Sequence, residues 1–487
     1  MRKFIAAACL LAALPASALP RAECELDPIQ NRIPSSHGDA AMAPAMDGLQ
    51  KLYRAKAPKA AAPSRWIHGS DAVGAGVLTY EIADMAPMTR AFLPTENSPY
   101  DHHFKGDMMK TPHMVRIGSV DGRPAWIAIN KRPDSPLPPR LLAFLDLALS
   151  AEGQAVIAAT PGFAPLGADE RAAERKRLDA YVAPLDAALP TYRPVPGLSG
   201  TISSVGSDGM RSLMDKWQCR FSVLQPGVRK GDRWDHPGTL NGFHALLVGE
   251  ADMASMGREL WPSELAQWRA GSGSSAAPIE IAVARGGFNT PQRTTAQAIF
   301  VHPSNPIGHL SIEQLAAILG ESPTITRWGQ LGLTGEWADR PIKVLTPPHV
   351  APNAMSMQMM LLKGKGWNAA AVPAPYAETA RALQADPAAI GFGGLEEGAP
   401  DLKALAVADA DGNIVPLDAP NAATGRYPFT RFMYIRLAPG KVSPQAAAFL
   451  RYILSREGQE WVRYSGYHPL TAAEAKAELA KLAGAAK

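Results

Sequence analysis

Two short segments, VGSDGM (205–210) and PGTLNGF (237–243), each place small and hydroxyl residues directly before apolar residues at helical spacing. A helix that starts at such a loop presents unpaired backbone N–H groups and the positive end of its dipole, which is the chemistry of oxyanion capture. Ser207, Asp208, Gly209 and Met210 from the first loop, with Thr239 and Asn241 from the second, are the candidate ligand-binding residues. Gly209 and Gly238 permit close backbone approach. Arg258, at the end of GEADMASMGR (249–258), can add a bidentate guanidinium. Each has a plainer reading: Ser207, Asp208 and Thr239 as helix caps, Arg258 as a solvated side chain. Asp208 can also accept the proton of a monoprotonated anion.

The elements that hold these loops repeat within the chain. Shifting the sequence by 168 residues aligns 35–96 with 203–264 without a gap, and 21 of the 62 positions are identical. Gly38 meets Gly206, Asp47 meets Asp215, Trp66 meets Trp234 and His68 meets His236. A second match, LAFLDLALSAEGQ (142–154) with AAFLRYILSREGQ (447–459), lies at a shift of 305. The later copy therefore holds an additional segment, about 286–424, in its middle. An insert of domain size inside another domain is the topology of a two-lobed clamp whose chain crosses a hinge twice. The plainer alternative, a tandem repeat with one long loop, needs more structureless chain than compact domains carry. Strands alternating with capped helices, such as those starting at Ser311 and Ser443-Pro444, predict an α/β fold.

The 487 residues, 46% hydrophobic and 19% charged with 44 Pro and 42 Gly, suit several globular domains with many turns. A net charge of +4 indicates no nucleic-acid or acidic-polymer partner. MRKFIAAACLLAALPASALP reads as a signal peptide cut near Ala18, so we expect export and a mature chain that does not span a membrane. A lipoprotein would need a modifiable Cys at the cleavage point, whereas Cys9 lies inside the apolar run. Cys24 and Cys219 would then meet an oxidising compartment, and the sequence leaves open whether they pair.

VGSDGM, PGTLNGF, GEADMASMGR, NPIGHLSIEQLAAILG (305–320) with Trp328, AAIGFGGL (388–395) and AAFLRYILSREGQEW occur in an order that resembles the phosphate-binding family of type II periplasmic solute-binding proteins, which serve ABC importers. The resemblance covers residues 201–470; the amino-terminal copy resembles only the first lobe. It implies a type II periplasmic binding protein fold: a signal peptide (1–18), a single-lobe unit (19–194), and a two-lobed clamp (195–487) whose second lobe is about 286–424. It further implies capture of phosphate or a related small oxyanion for a membrane permease in the periplasm, without cofactor or catalysis. Relatives present an Arg and a Ser-Gly-Thr loop from the second lobe. Here IKVLTPPHVAPNAMSMQMM (342–360) leaves only His349 and Asn353 as donors, while Asp71 replaces Thr239 in the amino-terminal copy, where no anion site is expected. A sensing or interaction protein that keeps the fold without transport is the alternative.

Met355, Met357, Met359 and Met360 could form a soft-metal cluster, but their helical spacing also suits a core helix, and His102-His103 beside Asp101 also suits a solvated loop. We expect no metal site. No nucleophile elbow, zincin, Walker or dinucleotide pattern is present, so no enzyme is expected.

Overall fold

Short, fully buried apolar runs, among them Ile281–Ala284 and Ala298–Val301, behave as interior strands and are covered by amphipathic helices. The computed structural model describes residues 31–104, 109–132, 135–289, 294–395 and 401–485. The expected signal peptide, its cleavage site and Cys24 lie outside the described residues; Cys219 is disulfide-bonded. Among the described residues no single helix is long and apolar enough to cross a membrane.

The amino-terminal unit runs β1 (Ser36–Asp39), α1 (Ala43–Lys56), β2 (Trp66–Gly69), α2 (Asp71–Thr79), β3 (Met85–Met88), α3 (Pro94–His103), β4 (His113–Val120), β5 (Arg123–Ile129), α4 (Pro139–Leu149), α5 (Ala151–Ala159), β6 (Phe163–Pro165) and α6 (Ala168–Lys176). Its strands form one mixed sheet in the order β2-β1-β3-β5-β4-β6.

The first lobe begins with β7 (Gly200–Gly206), α7 (Arg211–Leu224), β8 (Val228–Asp235), α8 (Thr239–Val248), β9 (Met253–Met256), α9 (Pro262–Gly271) and β10 (Ile279–Arg285). The chain then crosses into the second lobe: β11 (Gln297–Val301), β12 (His309–Ser311), α10 (Ile312–Leu319), β13 (Lys343–Thr346), α11 (Pro352–Leu362), β14 (Val372–Pro373), α12 (Tyr376–Ala385), β15 (Ala389–Gly394), β16 (Lys403–Ala404), β17 (Ala406–Ala408), β18 (Ile414–Val415) and α13 (Ala419–Thr424). It returns as β19 (Phe432–Leu437), α14 (Pro444–Ile453), α15 (Arg456–Val462) and α16 (Ala472–Ala485).

The first-lobe sheet has the order β8-β7-β9-β19-β10, which matches the first five strands of the amino-terminal order with β19 in the place of β5; the sixth amino-terminal strand, β6, is additional. The second lobe has its own sheet, β14-β13-β15-β11-β16, and a small one, β12-β17-β18, around a separate core that includes Trp328 and Met357. The alternation of strands and helices thus builds a lobe inserted between two strands of another lobe.

Side-chain bonds are duplicated as closely as the strands. The Trp66 indole donates to Asp47 and the Trp234 indole to Asp215, both at 2.7 Å. Ser35 and Ser203 donate hydroxyl and amide to Asp84 and Asp252. Gln154 and Gln459 each donate to two carbonyls and accept one amide, tying α5 and α15 to their sheets. Helix α8 lies against β7 so tightly that a Cβ at Gly242 would come 2.6 Å from the Val205 oxygen.

Burial lowers the pKa of His236 to about 3, and of His113 and His468 to about 4, with neighbouring arginines adding to the effect. Above their ordinary value of 6.5 these rings are neutral folded or unfolded. Below it the unfolded chain takes up protons that the folded chain refuses, so stability falls as pH drops toward 4. Thermal melts between pH 7 and 5, above most carboxylate titrations, should show a progressive loss. His236→Gln should make the slope shallower by up to about 2 kcal/mol across that range.

Candidate functional site

The two loops do not cap their helices with side chains. After β7 the chain makes a 3-10 turn over Asp208–Met210 before α7, and the Ser207 hydroxyl makes no capping bond. Helix α8 has Gly238 at its N-cap, at φ 154°, a conformation reserved for glycine, and Thr239 is its first residue, again without a side-chain cap. The capping role open to Ser207 and Thr239 in the sequence is therefore not the one they have.

Their hydroxyls instead meet at Gly257, directly after β9. The Thr239 hydroxyl accepts from the Gly257 amide at 3.4 Å, and the Thr294 hydroxyl, on the crossing into the second lobe, donates to the Gly257 carbonyl. A Cβ on Gly257 would lie 3.0 Å from Thr294 Oγ1 and 3.3 Å from Ser207 Oγ. Three hydroxyls and one backbone segment converge beside the start of α8, and a side chain at 257 would fill the space.

The other expected residues divide. The Asp208 carboxylate accepts from the Gly209 amide, and the Gly209 carbonyl accepts from the Tyr467 hydroxyl at 2.8 Å. Met210 is fully buried in the lobe core and Asn241 is exposed on α8. Arg258 is engaged elsewhere. Both terminal nitrogens reach Glu264, at 2.6 and 2.8 Å, and the guanidinium lies 3.6 Å from the centre of the Trp261 ring. Glu264 also accepts from the Trp261 amide, so the pair closes the first turn of α9. Arg90 and Glu96 repeat this in the amino-terminal unit.

On the second lobe, α11 has Ala351 as its N-cap, so Asn353 does not cap it. Its side-chain oxygen accepts from Arg431 at 3.1 Å. Arg431, buried at the crossing back into β19, also lies 3.6 Å from Glu259, and Glu259 accepts from Ser356 of α11 at 2.8 Å. The two lobes are thus joined by Glu259, Arg431, Asn353 and Ser356. Of these only Asn353 was singled out in the sequence; Arg431 lies beyond the inserted segment, directly before β19. The His349 ring stacks on Trp367, with centroids 5.5 Å apart, and faces the Thr346 hydroxyl at 3.2 Å. Met357 is fully buried, Met360 packs against the same core, and Met359 is 40% exposed, so the methionines do not share one face. His103 packs edge-on against Tyr80 and Phe104.

The amino-terminal unit inverts the charge of this arrangement. Asp39 and Asp71 stand where the first lobe has Ser207 and Thr239, and Thr89 replaces Gly257. The Thr89 amide donates to Asp71 at 3.0 Å, and its hydroxyl bonds both carboxylates at 3.2 Å. Burial, reinforced by Asp39, raises the pKa of Asp71. The unit supplies its own anions at the position where the first lobe leaves hydroxyls.

Replacing Arg258 by Met should lower stability by about 3–5 kcal/mol, because it strands a buried Glu264. Pairing it with Glu264→Leu should restore most of the loss in thermal melts, and anion affinity in the double variant should stay within about threefold of the parent.

A family model for the PBP superfamily domain matches residues 192–457. The phosphate-binding protein PstS of Pseudomonas aeruginosa is 31% identical over 312 residues, spanning 62% of this chain and 93% of that protein. Among solved structures, an ABC-type phosphate transport receptor from Vibrio cholerae is 21% identical, covering 55% of this chain and 100% of its own, with a TM-score of 0.38. PstS from Borrelia burgdorferi is 19% identical over 56% of this chain and 99% of its own, with a TM-score of 0.38. With its matched region holding both lobes and the loops around Gly257, the chain belongs to the PstS family of phosphate-binding proteins within the PBP superfamily.

Proposed function

We propose that this protein captures phosphate, or a small oxyanion of the same shape, in the cleft of its carboxy-terminal clamp and delivers it to an ABC importer. The observation that carries the reading is the convergence of Ser207, Thr239 and Thr294 on Gly257, beside the uncapped start of α8. Neutral hydroxyls and unpaired N–H groups stabilise a desolvated anion. Membership of the PstS family supports the same ligand class, and the leader-like first residues support delivery to the periplasm. On this reading Ser207, Thr239, Thr294 and the backbone of residues 208–210 and 239–241 form the first-lobe half of the site. Asn353 and Arg431 contribute from the other side. Closure of the lobes on the anion shifts the population that a permease recognises.

A second reading, a sensing or interaction protein without transport, is favoured by one observation. Glu259 already joins Ser356 and Arg431 across the cleft, so the lobes are held together by the protein's own carboxylate.

Titration calorimetry of the mature chain, freed of carried anion by partial unfolding, separates the two. Phosphate binding at micromolar or tighter affinity, weakened on the order of a hundredfold by Thr239→Asp, is the expected result, since the new carboxylate repeats the Asp71 arrangement and opposes the anion directly. Absence of heat with phosphate, sulfate, phosphonates and small carboxylates would overturn the binding reading in favour of the second.

A further inference from the structure

The two second-lobe residues expected to face an anion are committed to other partners. The His349 ring stacks on Trp367 and meets the Thr346 hydroxyl, and the Asn353 side chain accepts from Arg431. Gln297, the first residue of β11, is not committed. It is fully buried, and neither its carboxamide nitrogen nor its carboxamide oxygen has a hydrogen-bond partner in the protein. Holding both atoms away from water in this way costs more than an apolar side chain of the same size would, unless a ligand pairs with them.

The chain path places this carboxamide at the cleft end of the second lobe. Three residues earlier, the Thr294 hydroxyl donates to the Gly257 carbonyl of the first lobe. The Gln297 amide donates to the Phe429 carbonyl at 3.0 Å, two residues before Arg431, which reaches Asn353 and Glu259. Gln297 thus stands where the outgoing and returning crossings lie side by side.

Strand register sets the direction of its side chain. Strand β11 pairs antiparallel with β15, with Gln297 opposite Gly394 and Ile299 opposite Phe392. Alternation puts Gln297 on the face of Ile299 and Val301, which share a core with Ala354 and Met357 of α11, whereas Ala298 and Phe300 belong to the core on the other face. Strand β13 runs parallel to β15 with Val344 opposite Ile390, so Thr346 at its end is level with Phe392. Gln297 therefore projects beyond that end, on the face against which α11 packs and at the level where it begins. Helix α11 has eleven residues and starts at Pro352 without a side-chain cap. A buried carboxamide without partners and the positive end of a helix share one face at one end of the sheet.

We propose that Gln297 is the second lobe's direct ligand to the anion held in the cleft, with Nε2 donating to an anion oxygen seated at the first turn of α11. The assignment rests on the capture reading above and supplies a donor from the lobe whose expected donors are engaged elsewhere. A neutral carboxamide gives that hydrogen bond without the cost of burying another cation, and its oxygen can accept from a hydroxyl on the same anion.

The test uses the full mature chain freed of carried anion by partial unfolding, as the parent and with Gln297→Leu or Gln297→Glu. Each is titrated with inorganic phosphate by calorimetry and melted in phosphate-free buffer. Gln297→Leu keeps the volume and removes both polar atoms, so it should weaken phosphate binding by at least about tenfold and raise the melting temperature of the anion-free protein by a few degrees. Gln297→Glu should weaken binding on the order of a hundredfold, because it sets a carboxylate against the anion. The opposed signs separate a ligand from a packing residue, whose loss lowers the melting temperature. Phosphate binding by the parent that stays within about twofold in Gln297→Leu, or a lower melting temperature in that variant, would overturn this assignment alone. Absence of heat from the parent would overturn the capture reading and this assignment with it.

Discussion

The amide that follows the third strand of each repeated unit has to find an acceptor, and the choice of acceptor sets what each unit can bind. At Gly257 it is the Thr239 hydroxyl; at Thr89 it is the Asp71 carboxylate. A hydroxyl is neutral and retains a proton to offer, so the surrounding N–H groups stay available to an external anion. A carboxylate saturates the amide and places full negative charge at the helix start, where the dipole already favours it. One fold thus carries neutral hydroxyls in one copy and a closed cluster of carboxylates in the other, from three substitutions on the same backbone frame. The same frame explains why Gly257 lacks a side chain: any Cβ there enters the space between Ser207 and Thr294.

The fold was legible because its signals are local or periodic. Duplicated Trp–Asp, Ser–Asp and Gln contacts keep the same spacing in both copies, so the self-alignment recovers them without knowing what they do. The change of shift from 168 to 305 marks the inserted lobe, since a clean insertion leaves the register intact on each side. The site was only half legible. Arg258 looks like an anion ligand in isolation, yet its partner Glu264 lies six residues on, and Arg90 with Glu96 repeats that spacing in a unit where no anion is expected. The repeat therefore contained the information that the pair is structural. Ser207 reads as a cap, but the intervening 3-10 turn moves the helix start away from it. Thr294, Glu259 and Arg431 carried no local signature, because their roles arise only where two hinge crossings bring distant segments together.

The hinge itself is electrostatically crowded. Arg431 is 3% exposed and is flanked by Glu259 and Asn353, one from each side of the cleft. A buried cation of this kind is strongly destabilising when its partner is removed, but it is worth little relative to an apolar substitute. Its value lies in registration. The guanidinium fixes how the start of α11 meets the residue after Arg258, and any opening of the lobes has to separate Glu259 from Ser356 and Arg431 from Asn353. On the proposed reading, an anion entering the cleft competes for the donors that Glu259 holds, which would couple binding and closure through one carboxylate.

The position of the amino-terminal unit follows from the same charge logic. Glu81 is held down to about 2 by Lys216 and Arg132 against the opposing effect of burial, so the contact is an ionised one at neutral pH. Both cationic links, Lys216 and the Arg132–Ser212 bond, end on α7. The unit is thus anchored on the first lobe, away from the contacts that join the two lobes. Because α7 begins directly after the Ser207–Met210 loop, any change in how the unit is seated acts on the helix that follows that loop. The carboxylates Asp39 and Asp71 distinguish the amino-terminal copy from its sister, and its ionic and polar links to the clamp run instead from Glu81 and Arg132 to α7.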